Sequence, residues 1–327
     1  MFVRNKTRFK VGLARGRLSD EGSAGALVVC SSYRVREGKL TPCEDGAPLP
    51  TDPPDLTREA LWAGTSVTAA GAVYGPRAAP FLRAVSLTVG DTSRHLSVFG
   101  DRRWTPGRAG ELEPSAPAPF ETLALSFALA YGGHVDVPPG LFPGTDLPYP
   151  GGRLAYSLNQ GGIGFYLDKA AARGAPVPNF ELSDQLVKQW SDRPTPGCFA
   201  PCPYLAALRM RLPEPAASPQ EWVPPDPAEM FSTMLRASHH APGYLIFEDV
   251  PEGTAIHLAG LGCEVIHFAA PPPPVRVTLR RGPSRRDVRP EIRSIHVDAD
   301  RGVVSCVHGY GFLYRSGQEP SWVLVED

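Results

Sequence analysis

Six cysteines, eight histidines and a few acidic residues are the groups that could do chemistry in this chain of 327 residues. Cys198 and Cys202 are its one closely spaced thiol pair. A tetrahedral zinc site takes four ligands, and His239-His240 are the residues that could complete it. Adjacent histidines on one element diverge, so the expectation is that no metal is held. His134 stands two residues before Asp136, the beginning of an acid–base arrangement. It lacks the third group and the pocket that such work needs. A β-rich hydrolase acting on sugars or peptides would draw on Asp136, Asp146 and Glu181. Gly161-Gly162-Ile163-Gly164-Phe165 has the composition of a phosphate loop, but neither G-x-G-x-x-G nor G-x-x-x-x-G-K-[ST] is present. No G-x-S-x-G elbow occurs, and Gly64-Thr65-Ser66-Val67-Thr68, the nearest approach, falls in a strand-like run. The residues predict no catalytic set, no cofactor and no metal.

What the chain does carry is four motifs rich in turn formers and aromatics. In order they are Phe99-Gly100-Asp101-Arg102-Arg103-Trp104, Ala130-Tyr131-Gly132-Gly133, Asn159-Gln160-Gly161-Gly162-Ile163-Gly164-Phe165 and Val177-Pro178-Asn179-Phe180-Glu181. Glycine admits positive φ and close backbone approach. Asn179 suits a cap or a local hydrogen bond, and Pro178 fixes the chain before it. Asp101 can bond turn N–H groups. One of the two arginines can pair with a carboxylate, and its fork suits Glu181 or Asp101. Trp104 can cover a core edge or stack on an arginine. The expectation is an Arg–carboxylate clasp holding the central loops; the alternative is a solvated charged turn. Asp101, Arg102, Trp104, Tyr131, Gly132, Gly133, Asn159, Gly161, Gly162, Gly164, Phe165, Pro178, Asn179 and Glu181 form the structural set. Tyr131, Phe165 and Trp190 are weighed as anchors for a partner against places in the core.

These motifs need elements to hold them. With 33 glycines, 37 prolines and 42% hydrophobic residues, the composition fits many short strands joined by turns around a real core. The expected class is mainly β: antiparallel sandwich or barrel-like sheets with long central loops and a few short helices. Strands are read at 66–74, 81–89 and 95–99, as an antiparallel meander. Hairpins are read across Gly260-Leu261-Gly262 and across Ala299-Asp300-Arg301-Gly302, and Val275–Arg280 alternates strictly. The middle, 105–205, reads as loops, with short helices at 182–190 and 200–211. A β-rich lobe at 1–211, a proline-rich linker at 212–227 and a β lobe at 228–327 follow, together one unit. A net charge of −1 argues against nucleic acid and anionic membranes as partners. The basic cluster from Arg276 to Arg289 lacks interleaved aromatics and fits a solvated edge strand or an acidic protein partner better than nucleic acid. No secretory leader and no membrane-length apolar run is read, so the expectation is a soluble, cytoplasmic protein.

The ordered motifs resemble those of a bacterial family of unknown function associated with type VI secretion. That family shows a G-D-R-x-W-like element, then A-[FY]-G-G, N-P-x-G-x-G-[FY] and L-P-N-x-E. Gly100–Trp104, Ala130–Gly133 and Pro178–Glu181 match well, and Gln160 stands where proline is usual. The resemblance covers roughly residues 10–315. It implies a non-enzymatic adaptor, or effector chaperone, whose partners are an effector with a PAAR or PAAR-like domain and the VgrG spike. The other readings carried forward are a structural component of a phage-like contractile particle and a β-rich hydrolase.

Overall fold

The computed structural model describes residues 2–17, 22–44, 64–78, 80–107, 110–141, 146, 148–202, 241–248, 250–262, 265–315 and 318–327. It is mainly β, with helices of a single turn such as Phe127–Leu129 and Lys169–Ala172. Among the described residues no helix is long and apolar enough to cross a membrane.

A seven-stranded sheet forms the frame. Its order is Lys10–Arg17, Gly22–Arg36, Val303–Arg315, Glu291–Asp298, Thr65–Ala70 and Ile246–Phe247, with Lys39–Pro42 beside Gly22–Arg36. Neighbours are antiparallel except Thr65–Ala70, which runs parallel to Glu291–Asp298. A five-stranded sheet packs on it, in the order Phe180–Leu182, Thr92–Phe99, Leu82–Val89, Ala255–Ala259 and Ile266–Ala269. Side chains alternate along a strand, so one face of each is apolar and goes inward. Val85, Leu87, Leu96, Val98, Ile256 and Leu258 thus meet Val67, Ala69, Ile295, Val297 and Val304 in one buried cluster.

The two longest strands, Gly22–Arg36 and Val303–Arg315, run past that core. Tyr33, Val304 and Cys306 belong to it, whereas Leu27 and Val29 pack on Val277, Leu279, Val323 and Val325. These last four come from a separate four-stranded sheet, ordered Phe2–Asn5, Trp322–Glu326, Arg276–Arg281 and Ser284–Val288. The long pair therefore carries two sandwiches on one face.

The hairpins at 255–269 and 291–315 form as the turn residues predict. Leu82–Val89 and Thr92–Phe99 also form one around Gly90-Asp91, with Gly90 at φ +56°. The meander does not extend back to 66–74. That segment breaks at Gly71, φ +141°; its first part joins the seven-stranded sheet, and Ala72–Tyr74 pairs with Thr122–Ala124. The helix expected at 182–190 is replaced by turns. The Glu181 carboxylate accepts the Val187 N–H at 2.9 Å, and that of Asp192 accepts those of Lys188 and Gln189, both at 2.8 Å. Side chains thereby take N–H groups that a helix would pair with carbonyls. The central region is a series of two- to five-residue strand pairs more than open loops. Residues 203–240, with most of the second expected helix and the linker, lie outside the described residues. All three larger sheets contain strands from both sides of 212–227, so the sheets do not divide into two lobes there.

Candidate functional site

The fold brings the four motifs together. Thr92–Phe99 ends at Gly100, the chain turns through Asp101, and Arg102–Pro106 begins a three-stranded sheet with Leu112–Pro114 and Pro176–Val177. A Cβ on Gly100 would lie 1.9 Å from the Ala118 carbonyl oxygen, so only glycine fits this turn. Strand pairing then sets Val177 opposite Arg102, and Glu181 opposite Ser97.

Arg102 and Glu181 form a buried ion pair, their side chains 6% and 1% exposed. The Arg102 Nη2 donates to a Glu181 carboxylate oxygen and, at 2.6 Å, to the Pro178 carbonyl. The expected two-pronged fork is not used, because one nitrogen serves both acceptors. Its guanidinium carbon lies 3.6 Å from the centroid of the Phe99 ring, a cation–π contact strengthened by exclusion of water. Burial drives the Glu181 carboxyl upward and the Arg102 guanidinium downward, and each partner's charge opposes the shift of the other. Asn179 completes this half of the site. Its amide donates to the Phe99 carbonyl and to Asp101, both at 3.1 Å, while its carbonyl accepts the Phe99 N–H at 2.8 Å.

The second and third motifs form the other half. Tyr131 and Gly132 pair in parallel with Ile163 and Gly164. Asn159, buried, donates to the carbonyls of Phe127 (2.7 Å) and Tyr131 (3.0 Å), and its own carbonyl accepts the Gly133 N–H at 2.8 Å. Gly132 has φ +153°, and a Cβ there would lie 2.0 Å from the Asn159 carbonyl oxygen. Gly133, Gly162 and Gly164 are similarly crowded, by Gly162, by Asn159 and Ala130, and by Pro178. Gly161 is not: a Cβ there would meet nothing within 4 Å, so this member of the expected set carries no steric requirement.

The halves are tied to each other. The Asn179 N–H donates to the Leu129 carbonyl at 2.9 Å, and Ala130 bridges to Phe180. Trp104, Tyr131 and Val177 share a core with Leu112, Ala172 and Val187. Tyr131 is therefore core, 1% exposed, while Phe165 and Trp190 are half-buried at its margin. Arg193, which the sequence did not single out, runs through this margin. It donates to the Tyr131 hydroxyl (3.1 Å) and to the Tyr166 carbonyl (2.6 Å), and lies 5.0 Å over the Phe165 ring. Burial pushes the Tyr131 hydroxyl up to about 12, against the pull of Arg193. Tyr244 was missed too; its hydroxyl accepts the Cys198 N–H at 2.9 Å and donates to the Cys198 carbonyl at 2.7 Å. Neither residue sits in a motif: Arg193 acts on a distant hydroxyl, ring and carbonyl, and Tyr244 on distant backbone.

The other candidates do not converge. Asp136 is exposed and faces Arg153 at 3.5 Å, His134 is exposed on the same strand, and Asp146 is exposed. Glu181 is paired with Arg102. Cys198 and Cys202 are buried, and burial pushes the Cys198 thiol up. His239-His240 lie outside the described residues. Among the described residues no three His, Cys, Asp or Glu side chains form a metal-binding group.

The fold and the site define a β-sandwich scaffold whose central turns are tied together from within. The chain belongs to the bacterial family described as "Uncharacterized protein conserved in bacteria (DUF2169)", which matches residues 34–308 and so spans all four motifs. No curated protein and no solved structure matches it.

Proposed function

We propose that this protein is a non-enzymatic, cytoplasmic adaptor that binds a type VI secretion effector bearing a PAAR or PAAR-like domain and aids its loading onto the VgrG spike. The observation that carries this reading is the union of the four ordered motifs in one cross-tied platform. Their resemblance to the secretion-associated family supplies the partner. A chaperone must hold a shaped surface against a client that is itself mobile, and interior ties between loops give that rigidity before binding. Of the three carboxylates in the competing hydrolase reading, Glu181 is occupied by Arg102.

A groove of about 1340 Å³ borders the platform, lined by Thr92–His95, Leu182–Gln185 and by Tyr244, Ile246, Phe247 and Glu248. On this edge of Thr92–Phe99 the backbone is hydrogen-bonded by Asn179 to Ser183 along residues 95–99, and no described strand pairs with residues 92–94 there. An extended client segment could continue that line of pairing, with side-chain pockets setting its identity. The test is affinity purification of the tagged protein from its native host under secreting conditions, read by mass spectrometry. Recovery of a PAAR-bearing effector or a VgrG protein supports the reading and names the client. A preparation free of both removes it.

A further inference from the structure

The outward face of the four-stranded sheet gathers an excess of positive charge. Strand register fixes which side chains share it. Phe2, Trp322, Arg280 and Arg285 form one row, and Arg4, Leu324, Thr278 and Asp287 form the next row on that side. The rows between face inward, where Val277, Leu279, Val323 and Val325 are buried. Arg276 and Glu326, joined by Lys6, complete the outward face. Five exposed cationic residues (Arg4, Lys6, Arg276, Arg280 and Arg285) thus stand against the carboxylates of Glu326 and Asp287, with Asp327 at the margin. Both carboxylates are engaged: Glu326 with Lys6 at 2.6 Å, and Asp287 with Thr278 at 2.7 Å and Arg285 at 3.2 Å. Among the described residues Arg4 and Arg280 have no carboxylate partner.

Two features favour a polypeptide as the occupant. Ser284–Val288 is the last strand of its sheet, and no described strand pairs with its outer side, so its backbone is open to strand addition. The Arg280 guanidinium lies 5.2 Å over the Trp322 ring, covering a face on which a nucleic-acid base would stack. The sequence shows no aromatics among these arginines; pairing across strands puts Trp322 and Phe2 there.

We propose that this face and edge bind an extended acidic polypeptide segment, added beside Ser284–Val288 with its carboxylates over Arg285 and Arg280. Phe2–Asn5 and Trp322–Glu326, two of the four strands, lie outside the residues that the family matches. The inference is independent of the adaptor reading, because it is tested with a defined peptide and not by recovery of an effector.

The experiment titrates the full chain with a fluorescent peptide of alternating glutamate and threonine. The expected result is saturable binding that weakens with salt, and slowed amide exchange across Ser284–Val288. Arg276→Glu/Arg280→Glu/Arg285→Glu should weaken it by about tenfold or more with the melting curve unchanged. Arg4→Glu/Arg285→Glu gives the same reading if the triple variant fails to fold. Absence of saturable binding, equal binding of a lysine–threonine peptide, or tighter binding of single-stranded oligothymidylate would each overturn the proposal.

Discussion

Removing the Glu181 carboxylate should be among the most damaging single changes available to this protein. In Glu181→Ala the Arg102 guanidinium stays buried, with the Pro178 carbonyl and the Phe99 ring as its remaining contacts. The Val187 N–H loses its acceptor as well. Breaking a buried pair from one side costs about 3–5 kcal/mol, since the desolvated charge left behind is uncompensated. Counting two lost hydrogen bonds to a charged group at about 1.5–3 kcal/mol each gives a similar range. At about 2.1 cal/mol/K per residue, the unfolding entropy of 327 residues is about 0.7 kcal/mol/K, so the melting temperature should fall by roughly 4–7 °C. Arg102→Leu should do comparable damage, by stranding the carboxylate. The informative variant is Arg102→Leu/Glu181→Leu, which replaces charge by apolar volume and should be less destabilised than the sum of the single variants. Urea denaturation followed by circular dichroism at neutral pH measures all four corners of the cycle. Single variants within about 1 kcal/mol of the parent, or strict additivity, would refute the clasp.

Three further outcomes follow from the same geometry. Gly132→Ala should cost at least about 2 kcal/mol in urea, because its Cβ would meet the Asn159 carbonyl at a positive φ, whereas Gly161→Ala should stay within about 0.5 kcal/mol. Asn159→Ala should cost about 2–3 kcal/mol by leaving the Phe127 and Tyr131 carbonyls without their side-chain donor, read in the same assay. Burial holds the imidazoles of His296 and His308 down at about 4, opposed by Asp298 at the first and by the Pro271 carbonyl at the second. The unfolded chain takes up protons below pH 6.5 that the folded chain refuses. Stability is therefore full above pH 6.5 and lost as pH falls toward 4, by up to about 3 kcal/mol per histidine, and His308→Gln should flatten the urea midpoint across that window.

Local hairpins were legible in the sequence because their cause is local. Ala299-Asp300-Arg301-Gly302 sits between two β-branched runs, and Gly302 at φ +60° closes the turn between them. The clasp was legible in kind, since an arginine after a strand-ending glycine wants an acceptor, but the choice of Glu181 over Asp101 depends on strand pairing. Arg193 and Tyr244 were invisible for the same reason: the Tyr131 hydroxyl and Phe165 ring that Arg193 meets, and the Cys198 backbone that Tyr244 meets, are distant in sequence and are brought to them only by the fold. The helix expected at 182–190 failed because Glu181 and Asp192 capture the N–H groups there. The basic outer face was half legible, as arginines without the aromatics that Trp322–Glu326 and Phe2–Asn5 bring from both chain ends.

The strand Thr65–Ala70 lies between Glu291–Asp298 and Ile246–Phe247, and both neighbours come late in the chain. During synthesis this strand leaves the ribosome with no partner of its own and must wait for residues beyond 245. Its run Ser66-Val67-Thr68-Ala69 has meanwhile the unpaired edge and apolar face that recruit foreign strands. High contact order of this kind slows folding, because the loop entropy is spent before the pairing returns it. The yield of this protein in cells should therefore depend on holding factors more steeply than the stability of the finished fold would suggest.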